Sequence, residues 1–122
     1  NVARSVIHLY DQHLEPHGFS LPQFSLLMHI AGAKDDTLAA VAEAAGLDPS
    51  TLTRNLQGLE KLGLVEIATV ETDQRKRSVW LTETGARRLE AAVPAWEAAQ
   101  ADVEERLGST FRAAVRKAEK TL

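Results

Sequence analysis

The side chains best suited to chemistry are four histidines, His8, His13, His17 and His29, in a chain with no cysteine. Imidazoles serve as metal ligands and as general bases. His13 and His17 stand four apart with Glu15 between them, the spacing by which one helical face offers two ligands. Pro16 lies inside that spacing and breaks a regular helix through the pair. The reading is therefore of histidines at a helix end and in the junction beyond it, with no metal site expected. The missing cysteines remove disulfides, thiolate zinc sites, thiol nucleophiles and thiol redox switches together. No Gly-x-Ser-x-Gly, phosphate-binding glycine loop or His-Glu-x-x-His is present. Neither an enzyme nor a cofactor is expected.

What remains is hydrogen-bonding and cationic. Leu52, Leu56 and Leu59 fall on one side of a helix, within roughly 40° of Leu52 at 100° per residue. Ser50, Arg54, Gln57 and Lys61 fall on the opposite side, and Thr51 and Thr53 flank them. Such side chains can bond base edges or phosphates in a major groove. A second group follows, in which Arg75, Lys76 and Arg77 are consecutive, two places after Asp73. Net charge is −3, from 14 basic and 17 acidic residues, whereas a nucleic-acid binder usually shows a basic excess. The distribution softens this: residues 48–88 hold 7 basic and 6 acidic residues, against 2 and 5 in residues 1–47. The least acidic part is the part that holds both groups.

The elements that must position these residues follow from periodicity. Val2, Val6, Leu9, Tyr10 and Leu14 predict a helix over 2–14, ended by Pro16 and Gly18. Ser20 and Gln23 form a capping box for a second helix with Phe24, Leu27, Met28 and Ala31 on its apolar face. Thr37 caps a short third helix through Leu38, Val41 and Ala45, stopped by Gly46. Asp48 caps the fourth, with Pro49 at its first position and Gly63 at its end. The period then changes: residues 64–70 read as a strand with Val65 and Ile67 on one face, 71–74 as a turn, and Arg77 to Leu81 as the return strand. Thr82 caps a long helix whose seam is Leu89, Val93, Trp96, Gln100, Val103 and Leu107, close to a heptad pattern. Pro94 should kink that helix or mark its edge. Gly108-Ser109 should end it, before a last helix carrying Phe111, Val115, Ala118 and Leu122. Trp80 and Trp96 read as packing residues, and Arg87 and Arg88 as cations that solvate a helix.

Three short helices followed by a two-stranded ribbon define a winged helix-turn-helix, with a tight Gly46-Leu47-Asp48 turn and the fourth helix as reader. The fold expected is mainly α with a small two- to three-stranded antiparallel wing and a helical dimerisation region. Five segments then carry a resemblance. Leu59-Glu60-Lys61-Leu62-Gly63-Leu64-Val65, Asp73-Gln74-Arg75 and Leu81-Thr82-Glu83-Thr84-Gly85 resemble motifs of the MarR (multiple-antibiotic-resistance regulator) family in the family's own order. Asp48-x-Ser50-Thr51-Leu52-Thr53-Arg54 is similar to the start of its recognition helix, and residues 16–24 to the junction into its second helix. The resemblance spans residues 9–107, and residues 1–8 resemble the later part of a longer first helix. One position departs: where the family often has a basic residue two places after Gly-Leu-Val, this chain has Ile67.

The resemblance implies a homodimeric transcription regulator, a repressor on a palindromic double-stranded DNA operator. Residues 20–88 would form the DNA-binding lobe, and 1–18 with 89–122 the dimerisation region, all within one MarR-like domain spanning 1–122. Ser50, Thr51, Thr53, Arg54, Gln57 and Lys61 would read the major groove, and Asp73, Arg75, Lys76 and Arg77 would hold the wing on DNA. Apolar stripes at both termini favour a partner chain independently. A small aromatic or phenolic effector is expected to weaken DNA binding, in a cleft lined by His8, Tyr10, Phe19 and Trp96. Two alternatives share the fold: a metal-responsive regulator, as some family members bind zinc, and a protein-interaction module. The basic wing favours phosphate over the latter. No apolar run suits a membrane span and no leader opens the sequence, so the expected location is cytoplasmic.

Overall fold

A computed structural model describes residues 2–70 and 73–121, without the side chains of residues 70, 73–76, 111 and 119–121. The elements are α1 (Val2–Leu14), a 3-10 turn (Glu15–His17), α2 (Leu21–Ala31), α3 (Leu38–Ala45), α4 (Pro49–Lys61), β1 (Val65–Val70), β2 (Asp73–Leu81) and α5 (Glu83–Thr121).

Each expected cap forms. Ser20 Oγ accepts from Gln23 N at 3.3 Å while Gln23 Oε1 accepts from Ser20 N at 2.9 Å, the reciprocal pair of a capping box. Thr37 Oγ1 accepts from Ala40 N at 3.3 Å, and Thr82 Oγ1 from Gly85 N at 3.0 Å. Gly46 closes α3 in the left-handed region at φ 69°. The hydrophobic core lies between these helices and the wing. It is built on Phe24 and Leu27 of α2, Val41 of α3, Leu52, Leu56 and Leu59 of α4, Leu64, Val65 and Val79 of the wing, and Leu89 and Ala92 of α5.

Several expectations need correction. The buried residues of α2 are Phe24, Leu26, Leu27 and Ile30, whereas Met28 and Ala31 face outward. Strand β2 starts at Asp73 rather than Arg77 because Asp73 pairs with Val70 across a register irregularity at Thr69/Val70. Residues 71 and 72 of the expected turn lie outside the described residues. The wing itself is as expected, two antiparallel strands, with Thr37 adding one bridge to Ser78 beside Val79 N donating to Asp36 O at 2.9 Å.

Helix α5 runs unbroken through Pro94 and Gly108-Ser109. One interior glycine costs a helix only about 1 kcal/mol, too little by itself to end it. The inner face of α5 also differs from the expected seam. Ala92 and Ala99 are fully buried between Leu89 and Val103, while Leu107 is 45% exposed. Of the last expected helix, Val115 is 41% exposed and Ala118 is exposed, and the side chain of Phe111 and all of Leu122 lie outside the described residues.

Candidate nucleic-acid interface

Helix α4 is anchored from inside. Leu52, Leu56 and Leu59 are 1%, 0% and 2% exposed, so the rotation of the helix is fixed and its opposite face must point to solvent. Ser50, Arg54, Gln57 and Lys61 are exposed there, and Thr51 and Thr53 are half-buried. Leu47 N donates to Ala42 O at 3.0 Å, which draws the connection between α3 and α4 tight. The two helices thus form the helix-turn-helix expected from Gly46-Leu47-Asp48.

Electrostatics at the start of α4 centre on Asp48. Its Oδ1 accepts from Thr51 N at 2.9 Å and from Ser50 Oγ at 2.8 Å, and its Oδ2 accepts from Thr51 Oγ1 at 2.8 Å. These bonds, led by the Thr51 backbone N–H and then the Ser50 and Thr51 hydroxyls, hold its carboxyl down to about 2. Thr53 Oγ1 donates to Pro49 O at 2.9 Å. The three hydroxyl protons at the start of the helix are therefore committed within the chain. Among the described residues no hydrogen bond or ion pair engages Arg54, Gln57 or Lys61, so their donors point out uncommitted.

The wing rises from the end of α4. Antiparallel pairing sets Val65 opposite Leu81, Glu66 opposite Trp80, and Thr69 opposite Arg77. Trp80, expected to be a packing residue, instead lies on the outer face at 41% exposure, with its Nε1 donating to Glu66 Oε2 at 3.2 Å. Arg77 is half-buried on β2. Asp73, Arg75 and Lys76 are placed on β2 by backbone, and their side chains lie outside the described residues. Ile67, where the family often carries a cation, is turned toward the core.

The wing base is joined to α5 by Thr82. Its N–H donates to Leu64 O at 3.0 Å and its hydroxyl to Gly63 O at 2.6 Å. Gly85 sits so close that a Cβ there would overlap the Leu64 carbonyl oxygen and approach its carbon to 2.9 Å. The Leu-Thr-x-x-Gly pattern thus encodes a backbone contact between the wing and the long helix.

A second junction connects the lobe to the body. Asp11 Oδ1 accepts from Leu21 N at 2.7 Å, tying α1 to the start of α2. Arg88, expected to be a solvated cation, instead donates from Nη2 to His17 O at 3.1 Å and lies 5.0 Å over the Phe19 ring. Arg87 does behave as a surface residue, with an exposed pair to Glu83 at 3.3 Å. The Arg88 clamp joins residues 71 apart and had no local sequence signal.

Among the described residues, the four side chains expected at an effector cleft have different surroundings. Phe19 is buried, with its ring centroid 6.5 Å from that of Phe24, and Phe24 stacks on the half-buried Trp96 at 5.8 Å. His8 is exposed and shares a groove of about 360 Å³ with Phe19, Asp11, Gln12 and Glu15. Tyr10 is half-buried and lines neither that groove nor the larger one between α1 and α5. His13 and His17 fall in different elements. His13 Nε2 lies 3.5 Å from Asp102 Oδ2 on α5, and hydrogen bonds from Arg106 and then His13 lower the Asp102 carboxyl. Among the described residues no group of three potential ligands gathers for a metal ion, and no helix is long and apolar enough to cross a membrane.

This geometry is that of a winged helix-turn-helix, and comparison with known proteins agrees. Residues 17–76 match the MarR family. Transcriptional regulator HosA of Escherichia coli is 34% identical over 91 residues, covering 70% of this chain and 67% of HosA. The HTH-type transcriptional repressor YetL of Bacillus subtilis is 30% identical over 96 residues, covering 77% of this chain and 58% of YetL. The chain thus spans little more than half of YetL. The M. tuberculosis transcriptional regulator MosR, solved in complex with DNA, superimposes with a TM-score of 0.77 at 32% identity, covering 98% of this chain and 91% of that one. The chain belongs to the MarR family of winged helix-turn-helix transcription regulators.

Proposed function

We propose that the chain is a sequence-specific double-stranded DNA-binding regulator that acts as a homodimer on a palindromic operator. One observation carries the reading: α4 presents Arg54, Gln57 and Lys61 uncommitted and exposed, opposite a fully buried leucine line. Arg54 matches a guanine edge, Gln57 an adenine edge, and Lys61 a phosphate. The DNA-binding lobe is residues 20–88. The wing, with Asp73, Arg75, Lys76 and Arg77, lies along the backbone and into the minor groove. MosR, a relative of the same fold, was solved in complex with DNA, which supports the DNA reading.

Residues 1–18 and 89–122 form the dimerisation region. Val2, Ile7, Leu107 and Val115 are 65%, 46%, 45% and 41% exposed, apolar surface that a second copy would cover. A small organic effector releases the DNA by holding the two reader helices at a spacing that successive grooves do not match. The chain acts as a repressor, the activity given in the name of YetL, and works in the cytoplasm. Electrophoretic mobility shift with duplexes selected from a random pool tests the DNA reading, and light scattering tests the dimer. A shifted duplex carrying two chains supports both. A monomer at micromolar concentration that shifts no selected duplex overturns them.

A further inference from the structure

The first turn of the reader helix has a fixed hydrogen-bond polarity. The Ser50 and Thr51 hydroxyls donate to opposite oxygens of the Asp48 carboxylate, both at 2.8 Å. An ionised carboxylate is acceptor-only, so the proton in each bond must come from the hydroxyl. What each hydroxyl turns outward is lone pairs. Thr53, whose proton goes to Pro49 O at 2.9 Å, is in the same condition. Further along the helix, Arg54 and Lys61 carry only donors. The outer face is thereby divided into an accepting start and a donating continuation.

We infer that Asp48 is a specificity-determining residue: by drawing in the Ser50 and Thr51 protons it makes the first turn select amino-bearing bases, adenine N6 or cytosine N4, over guanine O6 and thymine O4. The inference rests on the reading that α4 lies in a major groove, where these four groups distinguish the bases. A serine or threonine hydroxyl ordinarily rotates to suit either partner, which makes it a poor discriminator. A neighbouring carboxylate removes that freedom, because reversing the hydroxyl would set lone pair against anion. Asp48 needs no contact with DNA to do this.

The test uses the full chain and three proteins: wild type, Asp48→Asn and Ser50→Ala. Asparagine caps helices as well as aspartate, so the fold is retained, which denaturation midpoints verify. Its carbonyl still accepts from Thr51 N, but its Nδ2 now donates to Thr51 Oγ1 and frees that proton to point outward. Each protein selects duplexes from a random pool. The wild-type duplex is then remade with single adenines replaced by 2-aminopurine, or cytosines by pyrimidin-2-one, which removes one major-groove amino group at a time.

Wild type should lose about threefold to tenfold in affinity when one particular amino group per half-site is removed, the range of a single neutral hydrogen bond. Ser50→Ala should show no loss at that position or at its neighbour, according to which hydroxyl reads it. Asp48→Asn should admit guanine or thymine at the Thr51 position. If wild type selects a sequence and Asp48→Asn selects the same one with the same sensitivities, the inference is overturned and the DNA reading stands. If wild type selects no sequence at all, the DNA reading falls and takes the inference with it.

Discussion

Two glycine-to-alanine substitutions, both inside helices, should have opposite signs. In α5, a Cβ at Gly85 would overlap the Leu64 carbonyl oxygen and lie 2.9 Å from its carbon and 3.1 Å from the Leu64 Cα. All three atoms are backbone, held by Thr82 N–H on Leu64 O and the Thr82 hydroxyl on Gly63 O. No flexible side chain can give way, so α5 or the wing base must shift. Overpacking of this kind costs about 1–3 kcal/mol, and the site belongs at the upper end. Alanine returns at most about 1 kcal/mol of helix propensity. Gly85→Ala should therefore destabilise by about 1–2 kcal/mol net, and lower Tm by roughly 3–10 °C for a chain of this length. In α4, a Cβ at Gly58 meets nothing within 4 Å. Gly58→Ala should stabilise by about 0.5–1 kcal/mol through helix propensity and a less disordered unfolded chain. Urea denaturation at one fixed protein concentration, with unchanged m-values, compares them. A Gly85→Ala midpoint at or above wild type would refute the contact between α5 and the wing base.

Arg54→Ala should relax preference at one position per half-site, a loss of about 1–3 kcal/mol of discrimination by binding to single-base variants; uniform weakening would make Arg54 a phosphate contact. Arg75→Ala should weaken most sequences alike and reduce the slope of log affinity against log salt by about 1, measured by salt titration. Arg88→Ala should lower stability by about 1 kcal/mol through loss of the His17 carbonyl bond and the Phe19 ring contact, read as a denaturation midpoint. The Asp48 carboxyl is lowered from 3.8 to about 2 in the folded chain, so its stabilisation is present above about pH 4 and disappears as pH falls toward 2. Asp48→Ala should lack that part of the acid dependence in urea midpoints collected across this range.

The caps and the leucine line of α4 were legible in the sequence because their causes are local. Ser20, Thr37, Asp48 and Thr82 each bond a backbone N–H three residues on, and three leucines at helical spacing fix one face. The buried face of α2 is not legible in the sequence because the helix is apolar nearly all round, so pattern alone does not choose between Met28 and Ile30. The continuity of α5 through Gly108-Ser109 is not legible either, because a glycine-serine pair marks a stop only where nothing on either side continues the helix. The opposition of Glu66 and Trp80 needed the strand register, and the Arg88 clamp needed the fold itself. The commitment of the Ser50 and Thr51 protons is half legible, since sequence marks Asp48 as a cap but does not show which hydroxyls donate to it. The packing of Phe19 and Trp96 on the Phe24 ring likewise needed the fold, since Trp96 lies far from the other two in sequence.

In the proposed function α4 reads sequence as one of a symmetric pair. Selection of duplexes from a random pool, followed by the mass of the protein–duplex complex in solution, tests it most directly. The expected product is an inverted repeat with half-site centres about 10 base pairs apart, bound by two chains per duplex. Enrichment of no sequence, or an enriched site without two-fold symmetry bound by a single chain, would contradict it.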